Sequence, residues 1–271
     1  RLIDYQDRAY ARLYLDRLAL LLERERSREG DAYDFRLTRE AARHLAVWMT
    51  FEDVIRVADL KSRPARFVRV RDEAGADADQ PVTIVEYLKP GLEEWCAILP
   101  AAIGRPLLRW AERRGKLDRF NIGLRVRSSR VGGFLMLFLL ARLRPWRRWT
   151  LRFKEEQQAI DGWLDATVKA IEIDYRLAFE VVELARARKG YGETRRRGVG
   201  KYDRVMDEVV RPILDSGAAA ASAVDAVARV REAALNDAED GSFERALEEL
   251  GTTAGSTDDA APRPAPMEAA K

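Results

Sequence analysis

The sequence predicts a mainly α fold: several antiparallel helices in a bundle-like arrangement, a few short irregular or strand-like segments, and a disordered C-terminal tail. Three observations predict it. Apolar residues recur at one-turn spacing through most of the chain. Charged residues make up 34% of it, a share that suits long helices with solvated faces. Strand character is confined to one stretch, VTIVEYL (residues 82–88), which also reads as a helix beginning after Gln80.

The first helix, RLIDYQDRAYARLYLDRLALLLERERSR (residues 1–28), sets Tyr5, Ala9, Leu13 and the apolar residues of 18–22 at turn spacing and stops before Gly30. Thr38 is the expected N-cap of a second helix, with Glu40 in its first turn and Leu45, Trp48, Phe51 and Ile55 following. That helix ends before Pro64, which pushes Arg63 out of the helical region. Over residues 64–106 prolines and glycines punctuate short elements. Thr150 opens a long helical stretch to Lys189, with breaks expected near Gly162 or Asp174. Arg186, Arg188 and Lys189, then Gly190, are its stop signals. A shorter helix over 202–214 and an Ala-rich one over 218–235 follow, and GTTAGSTDDAAPRPAPMEAAK reads as the disordered tail. The chain thus divides into a helical domain (1–214), an acidic Ala-rich extension (215–250) and the tail (251–271).

The passage GGFLMLFLLARLRPWRRWT (residues 132–150) puts an apolar run beside arginines and tryptophans. A spanning helix needs about 20 apolar residues. This run is about half that before Arg142 interrupts it, and Pro145 cannot continue the helix. It is therefore not a transmembrane segment. A helix apolar on every side is usually buried between others, so the sequence favours a core helix over a docking surface or an interfacial membrane contact. Phe134, Phe138, Trp146, Arg147, Arg148 and Trp149 are the interface candidates if the run is not core. Trp146 and Trp149 with these arginines also have the composition of a nucleic-acid stacking surface, but no helix-turn-helix, zinc-finger or RNA-recognition pattern accompanies them.

Dinucleotide, P-loop and HExxH motifs are lacking. The single histidine, His44, excludes a multi-histidine metal site and argues against a catalytic triad. It reads as a satisfied or surface histidine. The single cysteine, Cys96, excludes an internal disulfide framework and a local thiolate cluster, and it points to a reducing, cytoplasmic setting. Two clusters remain as contact candidates. In FEDVIRVADLKSR, Glu52, Arg56 and Asp59 fall on one helix face with Asp53 and Lys61 nearby, a spacing that ordinarily makes ion pairs. In KGYGETRRRGVGK, Lys189, Gly190, Tyr191, Gly192, Arg195, Arg196 and Lys201 form either a phosphate-holding loop or a helix cap followed by a solvated basic turn.

Charge is unevenly spread. Residues 105–154 hold fifteen Lys or Arg against two acids, whereas twelve acids face five basic residues from Asp215 onward. A basic face that meets an acidic partner and an acidic tail that folds over that face are both consistent with this.

Three passages carry a resemblance: LIDYQDRAYARLYLDRL, HLAVWMTFEDVIRVADLKSRPARFVRVR, and KGYGETRRRG ahead of KYDRVM. Together they resemble the carboxy-terminal helical domain of indolepyruvate:ferredoxin oxidoreductases, and GFLMLFLLARLRPWRRWTLRF is similar to the version that follows the small subunit. The likeness covers roughly residues 1–214. It implies membership of an assembly that oxidatively decarboxylates arylpyruvates to acyl-CoA with thiamine diphosphate, magnesium and iron–sulfur clusters, passing electrons to ferredoxin. Those cofactors are expected on other domains or subunits, because one cysteine cannot ligate a cluster and no Gly-Asp-Gly…Asn pattern is present. The segment itself is expected to be accessory, with no catalytic residue. Its expected partners are the rest of the oxidoreductase and, through the basic face, ferredoxin or CoA.

Overall fold

The chain is mainly helical in the computed structural model, which describes residues 1–28, 30–77, 79–116, 123–188, 190, 192–217, 221–236 and 241–256. It forms two compact units, one of residues 1–20 and 45–164, the other of residues 21–44 and 165 onward. The division falls inside three helices: α2 (Arg8–Arg26), α3 (Arg36–Trp48) and α9 (Leu151–Ile173).

In the first unit the expected opening helix is two. α1 (Leu2–Tyr5) ends at Gln6, and the Asp7 carboxylate then accepts the Tyr10 amide at 2.8 Å, capping α2. The second expected helix also divides. α3 stops at Trp48, and Asp53 caps a new helix, α4 (Val54–Ser62), by accepting the Arg56 amide at 2.6 Å. Arg63 is extended, as a residue before proline should be, and Pro64 opens α5 (Pro64–Glu73) at its first turn. VTIVEYL contributes strand β1 (Val85–Leu88), paired antiparallel with β2 (Leu124–Arg127) in the register Val85 with Arg127 and Leu88 with Leu124. Two short helices intervene, α6 (Leu92–Ile98) and α7 (Ala101–Arg113), and Pro106 lies inside α7 instead of ending it.

Buried aromatics build the core of this unit: Tyr5, Tyr10, Phe51 and Phe153 stand 5.6–6.3 Å apart, centroid to centroid. Arg147 sits among them, only 1% exposed, in the short helical turn Pro145–Trp149. Its Nε and Nη2 donate to Asp53 at 2.7 and 3.2 Å, and Nη1 donates to the Tyr5 carbonyl at 2.7 Å and to Gln6 Oε1 at 2.9 Å. The guanidinium also lies over the Tyr5 ring, 4.2 Å from its centroid. Arg147, expected at an interface, is instead an internal tie.

The apolar run forms α8 (Val131–Arg142), and it is not a core helix. Leu137 is the buried residue of this helix, packed with Ala58 and Val126, while Leu140 and Ala141 line the same small cluster. Gly133 allows the close approach to β2, because a Cβ there would stand 2.1 Å from the Arg127 carbonyl oxygen. No described helix is long and apolar enough to cross a membrane.

The second unit places helix α10 (Tyr175–Leu184), α11 (Gly192–Val205), α13 (Ala221–Asn236) and α14 (Ser242–Ser256) around Val181, Val182, Val205, Val227, Val230 and Phe243. The long helix expected from Thr150 breaks at Asp174, whose carboxylate accepts the Leu177 amide at 2.9 Å, and runs straight through Gly162. Residues 206–210 form a π-turn that leads into α12 (Arg211–Ser216), so the helix expected over 202–214 starts earlier and bulges midway. The stretch 215–250 is no separate extension, because α13 packs on α10 and α11. Residues 251–256 continue α14, and the rest of the expected tail lies outside the described residues.

Thr38 does not cap α3. That helix starts two residues earlier, after Asp34 and Phe35 turn the chain with positive φ, and its cap comes from elsewhere. Glu25, fully buried, accepts the Leu37 and Thr38 amides at 3.1 and 2.9 Å and the Tyr175 hydroxyl at 2.7 Å.

Two outcomes follow from these contacts. Breaking a buried ion pair leaves an unpaired charge and costs about 3–5 kcal/mol, so Arg147→Met should lower the unfolding free energy by that order in urea titrations. Arg147→Lys should not restore it, because a lysine cannot serve Asp53 and the Tyr5 carbonyl together. Glu86 is buried on β1 and paired with Lys61 and Arg66. Burial pushes its carboxyl up, but the Lys61 and Arg66 charges outweigh that and hold it below the ordinary range. Its contribution is therefore present above about pH 4.5 and is lost as pH falls through the depressed value. Glu86→Gln should cost about 1–3 kcal/mol at neutral pH, a deficit that closes in acid unfolding curves below the carboxylate range.

Candidate functional site

The first unit carries an open cleft of about 630 Å3 between α7 and the start of α9. Arg105 and Arg109, four residues apart, project from one face of α7. Arg148 and Lys154 face them, with Phe153, Pro106, Ala101 and Ala102 as the apolar lining and Gln157 and Gln158 as neutral hydrogen-bonding groups. The one carboxylate in the wall, Asp161, is taken by Arg17 at 2.5 Å, and Arg148 is bound to both oxygens of Asp7 at 2.8 Å. Arg105, Arg109 and Lys154 make no ion pair with any described residue. The cleft is therefore cationic on balance, with three exposed charges lacking an ion-pair partner among the described residues. Such a wall attracts phosphates and carboxylates and steers acidic partners toward itself.

A second surface lies on α8. Val131, Leu135, Met136 and Leu139 are exposed, Leu139 by 57%. Phe134, half-exposed, lies 5.9 Å from the Phe138 ring, and Arg142 stands over Phe138 at 4.5 Å. Trp146 and Trp149 are likewise exposed and contact each other edge to face at 5.5 Å. A contiguous apolar face of this kind marks an interaction surface more often than a free one. Of the six interface candidates read from the sequence, five are thus at the surface or partly so, and Arg147 is not.

Of the contact candidates around α4, Asp53, Arg56, Asp59 and Lys61 are engaged in ion pairs within the chain. Arg56 pairs with Asp59 at 2.7 Å and Asp4 at 3.0 Å, Arg63 joins both acids, Asp53 holds Arg147, and Lys61 holds Glu86. Glu52, exposed just before the helix, is pushed up by burial against the pull of Arg56. The loop read over 189–201 is mostly helix from Gly192 on, so most of its amides are spent on helical hydrogen bonds instead of a phosphate cradle. Gly190 and Gly192 have positive φ, as the turn into α11 demands, and Lys189 and Tyr191 lie outside the described residues. Arg195 and Arg196 ride on α11, and Lys201 lies 5.6 Å from the Phe243 ring centroid. Cys96 is fully buried, and burial together with Glu93 pushes its thiol up, which suits an inert side chain.

The second unit gathers a polar cluster that the sequence did not suggest. His44, 3% exposed, lies 3.0 Å from a Glu183 oxygen, and Glu40 stands one turn before it on α3. The hydrogen bond to His44 holds the Glu183 carboxyl at about 2 against the opposing effect of burial, with Arg186 adding to the depression. Nothing local signals Glu183: it lies 139 residues from His44, inside an apolar helix.

These features define a mainly helical chain whose first unit carries a cationic cleft and an exposed apolar helix. The sequence pattern of a family of unknown function, DUF6537, matches residues 1–208. The chain belongs to that family. No curated protein and no solved structure matches it.

The exposed face of α8 can be checked by stability alone. Leu135→Lys and Leu139→Lys should each change the unfolding free energy by no more than about 0.5 kcal/mol, whereas a lysine buried in a core position would cost several times that.

Proposed function

We propose that this chain is an accessory and assembly domain of a 2-oxoacid:ferredoxin oxidoreductase of the indolepyruvate type, with the thiamine diphosphate, magnesium and iron–sulfur clusters carried by other domains or subunits. The observation that carries the docking role is the cationic cleft, in which Arg105, Arg109 and Lys154 lack ion-pair partners among the described residues. A surface of that kind meets an acidic electron carrier or an acidic subunit by charge, and the uncovered face of α8 adds apolar area in the same unit. The oxidoreductase assignment rests on the resemblance in the three quoted passages. The reading places the work of the chain in holding and orienting partners, not in bond making.

The test is purification of the complete gene product from its native cells, with mass spectrometry of what comes with it and an arylpyruvate-dependent dye-reduction assay. A thiamine- and cluster-bearing subunit should copurify with activity. Arg105→Glu with Arg109→Glu should weaken the association about tenfold or more at low salt, and the difference should shrink as ionic strength rises. A chain that emerges alone, or with nucleic acid bound and no arylpyruvate-dependent activity, overturns the reading in favour of a free-standing helical adaptor.

A further inference from the structure

We propose that Glu40, His44 and Glu183 form a binding site for a single divalent transition-metal ion, zinc foremost. The three side chains each offer one donor atom, and these atoms lie within 4.8 Å of one another. His44 Nε2 is 3.0 Å from Glu183 Oε1 and 4.0 Å from Glu40 Oε2. Ligands bound at about 2.0–2.2 Å in a tetrahedral zinc site stand roughly 3.3–3.6 Å apart, so the two separations bracket the required value. Small side-chain rotations bring all three donors onto one ion.

The fold supplies this geometry from only two elements. Glu40 and His44 are four residues apart on α3, which sets both on one helix face, and Glu183 comes from the last turns of α10. Two of the three side chains are buried, His44 to 3% and Glu183 to 10% exposure, and Glu40 at 29% stands at the rim. The rim side leaves a fourth coordination position open to water or to a small ligand.

A second feature points to a missing occupant. Glu40 Oε2 is shut off from solvent and accepts no hydrogen bond among the described residues, its charge being met by an ion pair alone. Arg43 lies 2.7 Å from it, near enough to offset charge without forming a hydrogen bond. On the other side, Arg186 donates to Glu183 Oε2 at 3.1 Å, which leaves Oε1 for the shared centre. Outer contacts of this type orient carboxylate ligands in metal sites.

The same two arginines decide which ion is taken. They cancel much of the carboxylate charge, so a hard cation held mainly by charge, such as magnesium or calcium, gains little here. An ion that binds imidazole strongly gains more, which favours zinc and its first-row neighbours. This site is independent of the proposed oxidoreductase role, and its failure would leave that role untouched.

The experiment titrates the metal-stripped 271-residue chain with zinc and with magnesium by calorimetry, alongside thermal unfolding and the visible absorption of a cobalt-loaded sample. The expected result is one zinc per chain, a thermal midpoint raised by zinc and not by magnesium, and cobalt bands of a low-coordinate site. His44 is buried and its substitution can unfold the chain, so Glu40→Gln, at the rim, carries the test. That variant should keep its metal-free thermal midpoint within a few degrees while binding zinc at least tenfold more weakly and losing the cobalt bands. Zinc binding that is absent, or unchanged in Glu40→Gln, overturns the proposal and leaves His44 and Glu183 as a structural hydrogen-bonded pair.

Discussion

The buried Arg147 guanidinium fixes the layout of the first unit. A guanidinium withdrawn from water must have its donors served, and here two separate pieces of chain serve it: Tyr5 with Gln6, through the Tyr5 carbonyl and ring and the Gln6 side-chain oxygen, and the Asp53 carboxylate. Each service costs a helix its continuity. α1 ends at Tyr5, so the carbonyl that Arg147 uses is not needed within a longer helix. α4 begins after Asp53, so one carboxylate both caps a helix and neutralises the arginine. Gln6 closes the arrangement by donating from Nε2 to the Arg144 carbonyl at 3.1 Å.

This constraint explains what could be read from the sequence and what could not. Apolar periodicity located most helices, because each must bury one stripe, and Pro64 and Asp174 acted through local backbone rules that a sequence states openly. The breaks at Gln6 and at 49–53 were missed because the apolar period runs through them; what interrupts the helices is a demand made by Arg147 from far along the chain. Arg147 and Arg148 look alike in PWRRW, yet one is buried and the other pairs with Asp7 at the surface. The start of α3 misled for a related reason. Thr38 is a good capping residue by type, but Glu25, thirteen residues earlier, takes the amides first. β2 was invisible because a period of two over four residues, with arginine at alternate positions, does not stand out from a basic run.

The α8 run shows where composition and burial part company. A helix apolar on every side is expected inside. Burying it requires neighbours on every side, and among the described residues α8 finds them in α4, β2 and the small cluster around Leu137. The opposite face, with Val131, Leu135 and Leu139, is left to water. An apolar face that its own unit does not cover is a reason to expect a partner, and the cleft between α7 and α9 adds charge selectivity on the same unit.

The two units handle charge in opposite ways. In the first, after the internal ties are made, cations remain over: Arg105, Arg109 and Lys154 point into a cleft whose acid is already engaged by Arg17. In the second, carboxylates are drawn inward and their oxygens are served, Glu25 by capping amides and Glu183 by His44 and Arg186. Surplus charge at a surface is useful for meeting another molecule, because its attraction reaches roughly a Debye length, about 8–10 Å, into solvent. Charge drawn inward is useful only if something inside holds it in place, and Glu40 is the carboxylate for which that account is incomplete. Its neighbour Glu183 has the His44 ring nitrogen on one oxygen and an arginine on the other, whereas Glu40 Oε2 has charge beside it but no hydrogen bond among the described residues. Within a cluster that is otherwise satisfied, that imbalance is the physical reason to look for an ion between Glu40 and His44.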